Sequence, residues 1–148
     1  TKPPAEENGW DGSVLQPSVL VEVDDVYYYQ IFTGKELAYL AQAQGEWLDY
    51  NYILANDIVL NDVELTYDEN GNLTVDPSGL NEWTPIDKLN GFFNGNGYTI
   101  SGVYMDSSEP VAFFKSLKTD VMNVHFKNCY IRSTGGGAGG ISIRNLDV

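Results

Sequence analysis

The chain has 148 residues, 43% of them hydrophobic, which suits one domain with a real core and excludes a disordered tail. Against 21 acidic residues stand 8 basic ones, a net charge of −13 that argues against nucleic acid and against an anionic membrane surface. One cysteine, Cys129, excludes an internal disulfide framework and reads as a buried, inert thiol, and no apolar run has the length of a membrane span.

Residues 1–18 read as a linker with irregular structure. The start, Thr1-Lys2-Pro3-Pro4, resembles the stretch behind a processed leader, and Trp10-Asp11-Gly12-Ser13 is the one marked feature. Residues 19–148 read as one β domain. Strands are expected over 19–23 and 26–32 around a turn at Asp24-Asp25. Thr33-Gly34-Lys35-Glu36 has the form of a capping box, which opens a helix over about 34–44 with Leu37, Ala38, Leu40 and Ala41 on one face and Gly45 as its stop. This helix is expected to lie across the first edge of the strands that follow and to cap their apolar end.

Residues 52–54 and 58–60 read as the first coil. An inserted hairpin over about 62–77, projecting from that coil, is expected from the alternation on either side of Asn70-Gly71. The competing reading is a calcium loop built on Asp68, Asn70, Asn72 and Asp76. A loop of the EF-hand kind wants glycine at its sixth position, and here Gly71 is fourth, so the hairpin is preferred and no cofactor is expected.

Repeat coils are expected over about 83–148. Ile100-Ser101-Gly102-Val103-Tyr104-Met105 is echoed by Val121-Met122-Asn123-Val124-His125-Phe126 and again by Ile143-Arg144-Asn145-Leu146-Asp147-Val148, at intervals of 21 and 22 residues. A near-constant period of this size predicts a short solenoid. Gly102, Asn123 and Asn145 occupy one position of the phrase and predict a bend at positive φ. Stacking the copies places Ile100 over Val121 over Ile143, Val103 over Val124 over Leu146 and Met105 over Phe126 over Val148. Tyr104, His125 and Asp147 then form an outward column. A second register, in which Ala138-Gly139-Gly140-Ile141 echoes Val111-Ala112-Phe113-Phe114, is open for the last coil. The glycine-rich 134–140 lacks a phosphate-loop ending and reads as a flexible connection.

Phe93-Asn94-Gly95-Asn96-Gly97-Tyr98-Thr99-Ile100-Ser101-Gly102-Val103 resembles the F-D-G-N-G-H-T-I-x-G-L phrase of secreted bacterial β-helix proteins with GLUG-type repeats. Ala112-Phe113-Phe114 with Val121-Met122-Asn123-Val124, the segment from Tyr28 to Ala41, Asp57-Ile58-Val59-Leu60 and Trp83-Thr84-Pro85-Ile86 are similar to further phrases of that family. The resemblance implies an all-β, right-handed, single-stranded parallel β-helix with one N-terminal capping helix and an inserted hairpin. It also implies a bacterial protein that is secreted or on the cell surface. Similar segments occur in adhesin-like proteins and in the non-catalytic region of immunoglobulin A-specific zinc peptidases. The hairpin between Leu60 and Trp83 and the final Gly139-Gly140-Ile141-Ser142 depart from the pattern.

The single histidine, His125, excludes an HExxH zinc site, and no nucleophile elbow is present. Asp106, Glu109, Asp120 and Asp147 are expected outward near turns, with nothing fixing a pair at catalytic separation. Catalytic residues and metal ligands are therefore expected to be absent. Trp10, Trp47, Trp83 and several tyrosines have the side chains that stack on sugars, although core packing is the expected role of Trp83. Tyr104, His125 and Trp47 are the outward binding candidates. The expected function is adhesion or carbohydrate binding toward a cell-surface glycan or host protein, with self-association through the C-terminal edge. The alternative is the N-terminal portion of a larger β-helical enzyme, a polysaccharide lyase, hydrolase or peptidase, whose active site lies outside this chain.

Overall fold

The structure, a computed structural model, describes residues 2–115, 121–134 and 138–142. Strands β1 (Leu20–Val23) and β2 (Val26–Ile31) form an antiparallel hairpin. Asp24 and Asp25 both take positive φ, 52° and 66°, the turn whose twist matches that of the flanking strands. Helix α1 (Gly34–Tyr39) follows. Thr33 Oγ1 accepts from the Glu36 amide at 3.3 Å, and Glu36 Oε1 accepts from the Phe32 amide at 2.8 Å, one residue before the cap.

The helix is shorter than the expected 34–44. It tightens into a 3₁₀ turn at Leu40–Gln42, and Ala43 leaves the helical region at ψ 143°. Gly45 does not stop the helix but opens a second 3₁₀ turn, Gly45–Leu48. Leu37, Ala38 and Leu40 are buried, so the face predicted as apolar does pack on the core. The outer edge of β2 is covered by β1 and not by the helix.

The remaining strands are β3 (Asn51–Leu54), β4 (Ile58–Val59), β5 (Phe93–Asn94), β6 (Thr99–Ser101), β7 (Tyr104–Ser107), β8 (Val111–Phe114), β9 (Val121–Met122), β10 (His125–Lys127), β11 (Tyr130–Ser133) and β12 (Ala138–Ser142). Every pairing among them is parallel. One ladder runs β2, β3, β5, β9; a second runs β4, β6, β10; a third pairs β7 with β11 and a fourth β8 with β12. Residues 83–86 join the last two, with the Trp83 amide donating to Tyr104 O and Ile86 bridged to Phe114. The chain visits the ladders in one order, β5 to β8 and then β9 to β12. Tyr52, Phe93 and Val121 share a buried column, as do Ile58 and Ile100.

The stacking differs from that predicted by the 21-residue echo. Ile100 pairs with Phe126 and Met105 with Ile131, each 26 residues on, while Val121 pairs with Phe93. The echo links two different corners of one path. Gly102 (φ 75°) turns the chain from β6 to β7, and Asn123 (φ 54°) turns it from β9 to β10. The residue level with Gly102 is Asn128, also at positive φ (56°) and not foreseen as a bend. At the other end, Ala138 pairs with Val111 as the second register has it, but an irregularity between Ala138 and Gly140 shifts the rest by one residue, to Gly140 with Ala112 and Ser142 with Phe114; Ala138–Gly140 is strand rather than flexible connection. Asn145, Asp147 and the third copy lie outside the described residues, as does the C-terminal edge expected to self-associate.

Two peripheral segments are more integrated than expected. Residues 2–18 contain no helix or strand, yet they are not a free linker: Trp10 is buried edge to face against Trp83 at 5.6 Å and its amide donates to Val59 O. The inserted hairpin closes through Asp68 N to Asn72 O and a Tyr67–Leu73 bridge, with Gly71 at φ 81°, a three-residue loop rather than a two-residue turn. It does not project. Tyr130 OH donates to Gly71 O at 2.9 Å and Arg132 Nη1 to Asn72 Oδ1 at 2.8 Å, folding it back over β11.

Candidate recognition surface

Trp47 sits in the second 3₁₀ turn, held by a hydrogen bond from the buried Tyr52 hydroxyl to its carbonyl. Burial pushes that hydroxyl well above the ordinary tyrosine pKa, so it stays a donor. The Trp47 ring lies 4.8 Å from Tyr29, 5.1 Å from Tyr50 and 5.6 Å from Tyr39, and Tyr29 lies 5.2 Å from Tyr50. All four rings are half-buried. Tyr50 carries a raised pKa through partial burial first and then through its hydrogen bond to Glu46 and the charge there.

The surface extends along the first hairpin. Leu20 pairs with Tyr29 and Glu22 with Tyr27, and alternation puts these four on one face. Leu20 is 53% exposed and Tyr27 60% exposed. Sequence reading singled out Trp47 and missed its partners. The signal was present in Val26-Tyr27-Tyr28-Tyr29, where a period of two puts Tyr27 and Tyr29 together, but nothing local brings residues 39 and 47–50 onto them.

The other two binding candidates do not join Trp47. Tyr104 is half-buried on β7, its ring stacked on Tyr130 at 6.1 Å and 22°. Its hydroxyl pKa is raised by burial first and by Asp106 and Glu82 next. His125 is exposed on β10 beside Thr99, in a different ladder from Tyr104, so the expected Tyr104–His125–Asp147 column does not form. Trp83 is buried and stacked on Phe113 at 4.6 Å with parallel rings. Asp106 and Glu109 are exposed, and Asp120 and Asp147 lie outside the described residues.

Thr33 and Glu36 are structural. Glu36 has no exposed surface, and its Oε2 has no hydrogen-bond partner among the described residues. Burial, with the Glu6 charge added, raises its pKa. Glu6 caps the same helix by accepting from the Gly34 and Lys35 amides.

The calcium alternative draws on side chains with local tasks. Asp68 Oδ1 accepts from the Asn70 and Asn72 amides, both at 2.9 Å. Asp76 Oδ1 accepts from the Ser78 amide at 3.0 Å, which lowers its pKa. Among the described residues no group of three or more His, Cys, Asp or Glu side chains is placed to hold a metal, and no helix is long and apolar enough to cross a membrane. Compared with family models, curated proteins and solved structures, the chain matches none.

Proposed function

We propose that the chain is a non-catalytic recognition module that binds glycans at the cell exterior, through the aromatic surface around Trp47, and that its scaffold is a right-handed parallel β-helix of the GLUG type. The scaffold reading is supported by the four parallel ladders and by the identical order in which β5 to β8 and β9 to β12 visit them. The observation that carries the functional reading is the four-ring cluster of Tyr29, Tyr39, Trp47 and Tyr50, left half-exposed beside the exposed Leu20 and Tyr27. Aromatic faces offer area to the C–H faces of sugars at little entropic cost, and tyrosine hydroxyls offer hydrogen bonds at the rim.

A glycan array probed with the whole chain tests this, together with hydrolase, lyase and peptidase assays in the presence of calcium. Binding that Trp47→Ala weakens at least about tenfold is expected, without turnover. Turnover abolished by changing Asp106 or Glu109 would overturn the reading.

A further inference from the structure

Helix α1 and the 3₁₀ turn after it contribute residues both to the aromatic surface and to a groove. Tyr39 meets Trp47 ring to ring, while Ala38, Ala41 and Gln42 line a cavity of about 350 Å³ together with Trp10, Glu82 and Thr84. The floor is apolar, set by the edge-to-face pair of Trp10 and Trp83. The rim is polar and reachable, since Gln42, Glu82 and Thr84 are exposed. Acceptors mark that rim. Glu82 brings a carboxylate, and Asn81, whose amide nitrogen donates to Trp10 O at 2.6 Å, holds its oxygen beside Gly12. No Lys, Arg or His lines the groove among the described residues.

We propose that this groove is a second subsite of the Trp47 surface, and that the two together take a neutral oligosaccharide in preference to a monosaccharide or an acidic glycan. The proposal rests on the glycan reading above. The groove and the ring cluster share no lining residue, so each can seat its own sugar unit. A chain of several units can reach both, and occupation of one subsite raises the effective concentration at the other. An unsubstituted pyranose matches the groove, with an apolar face for the floor and hydroxyl donors for the acceptor rim. A uronate or sulfate would meet Glu82 in the groove, where no Lys, Arg or His is among the described lining residues, and Glu46 beside Tyr50, against a chain charge of −13.

Isothermal titration of the whole chain decides this. The probes are neutral oligomers of glucose, galactose, mannose and N-acetylglucosamine, one to four units long, their uronate counterparts and a lysine-rich peptide. Affinity for the preferred neutral sugar is expected to rise about tenfold or more from one unit to four. Gln42→Ala and Glu82→Ala should remove most of that gain, and Trp47→Ala should weaken the single unit and the tetramer alike. No dependence on length, a tetramer indifferent to both groove variants, or tighter binding of uronates or of the peptide would overturn the subsite. Absence of binding to every sugar would sink the glycan reading itself.

Discussion

A side chain at Gly102 would overlap the backbone of Asn61. A Cβ built on the glycine falls within contact distance of Asn61 N and O, and Asn61 Nδ2 in turn donates to Gly102 O at 2.8 Å. Positive φ adds to the demand. Gly102→Ala is therefore expected to cost about 3 kcal/mol or more, since neither backbone can move without disturbing the ladder. Asn123 is exposed and needs only its positive φ, so Asn123→Val should cost about 1–2 kcal/mol and Asn123→Gly should stay within about 1 kcal/mol of the parent. Urea denaturation of the three variants gives the comparison. Equal midpoints for Gly102→Ala and the parent would remove the corner from this position.

The ladder register is open to chemical test. Thr99 and His125 are partners across β6 and β10, so a Thr99→Cys/His125→Cys pair in a Cys129→Ser background should oxidise to a disulfide. Tyr104→Cys/His125→Cys should not, because those residues lie in separate ladders. Mass spectrometry after mild oxidation reads the outcome, and the reverse result would restore the 21-residue stacking.

That test also marks the limit of what the sequence disclosed. Strand–bend–strand phrasing, the positive φ of Gly102 and Asn123, the Asp24-Asp25 turn and the apolar helix face are properties of a few adjacent residues, and each could be read locally. The stacking could not. Val121-Met122-Asn123-Val124 resembles Ile100-Ser101-Gly102-Val103 because both are corners, and a corner does not state which corner it lies above. Phe126-Lys127-Asn128-Cys129-Tyr130-Ile131 is the segment level with 100–105, and cysteine in place of valine concealed it. The candidate site was legible only as Trp47, since its partners arrive from β2, from the helix and from residue 50.

Asn128 shows the same long-range dependence. Its Oδ1 accepts from the Leu65 amide at 2.7 Å and its Nδ2 donates to Val63 O at 2.8 Å, so one side chain pairs with the hairpin stem as a strand backbone would. Asn128→Asp keeps the acceptor and loses the donor; Asn128→Gly keeps the backbone conformation and loses both. Costs of about 1 and about 2 kcal/mol are expected, with faster amide exchange at Leu65 in the glycine variant. Unchanged exchange there would show that the stem is held by Tyr130 and Arg132 alone.

Glu36 sets a pH dependence. Because burial raises its carboxyl above the usual 4.5, the folded chain holds that proton more tightly than the unfolded one. Its contribution is most favourable below 4.5 and declines as pH rises through the elevated folded value, where a charge must be buried beside Glu6. Asp11 and Asp76, lowered by hydrogen bonds from Ser13 and Ser78, run the opposite way: what they contribute is present above 3.8 and fades as pH falls through their lowered folded values. Glu36→Gln should therefore gain on the parent as pH rises from 4.5 toward neutrality. Urea midpoints across that range should diverge; a constant offset would mean that Glu36 ionises alike in both states.

The second ladder spans 42 residues from Ile58 to Ile100 and only 26 from Ile100 to Phe126, yet its three strands keep one register. Nothing in the pairing measures the path taken between sides, and the entropy of a longer excursion grows only slowly with its length. The architecture thus separates what has to be spelled from what can be spliced. Between Leu65 and Asn81, whose own contacts with Asn128 and Trp10 anchor the excursion, a lineage can lengthen or exchange surface elements without rewriting the interior.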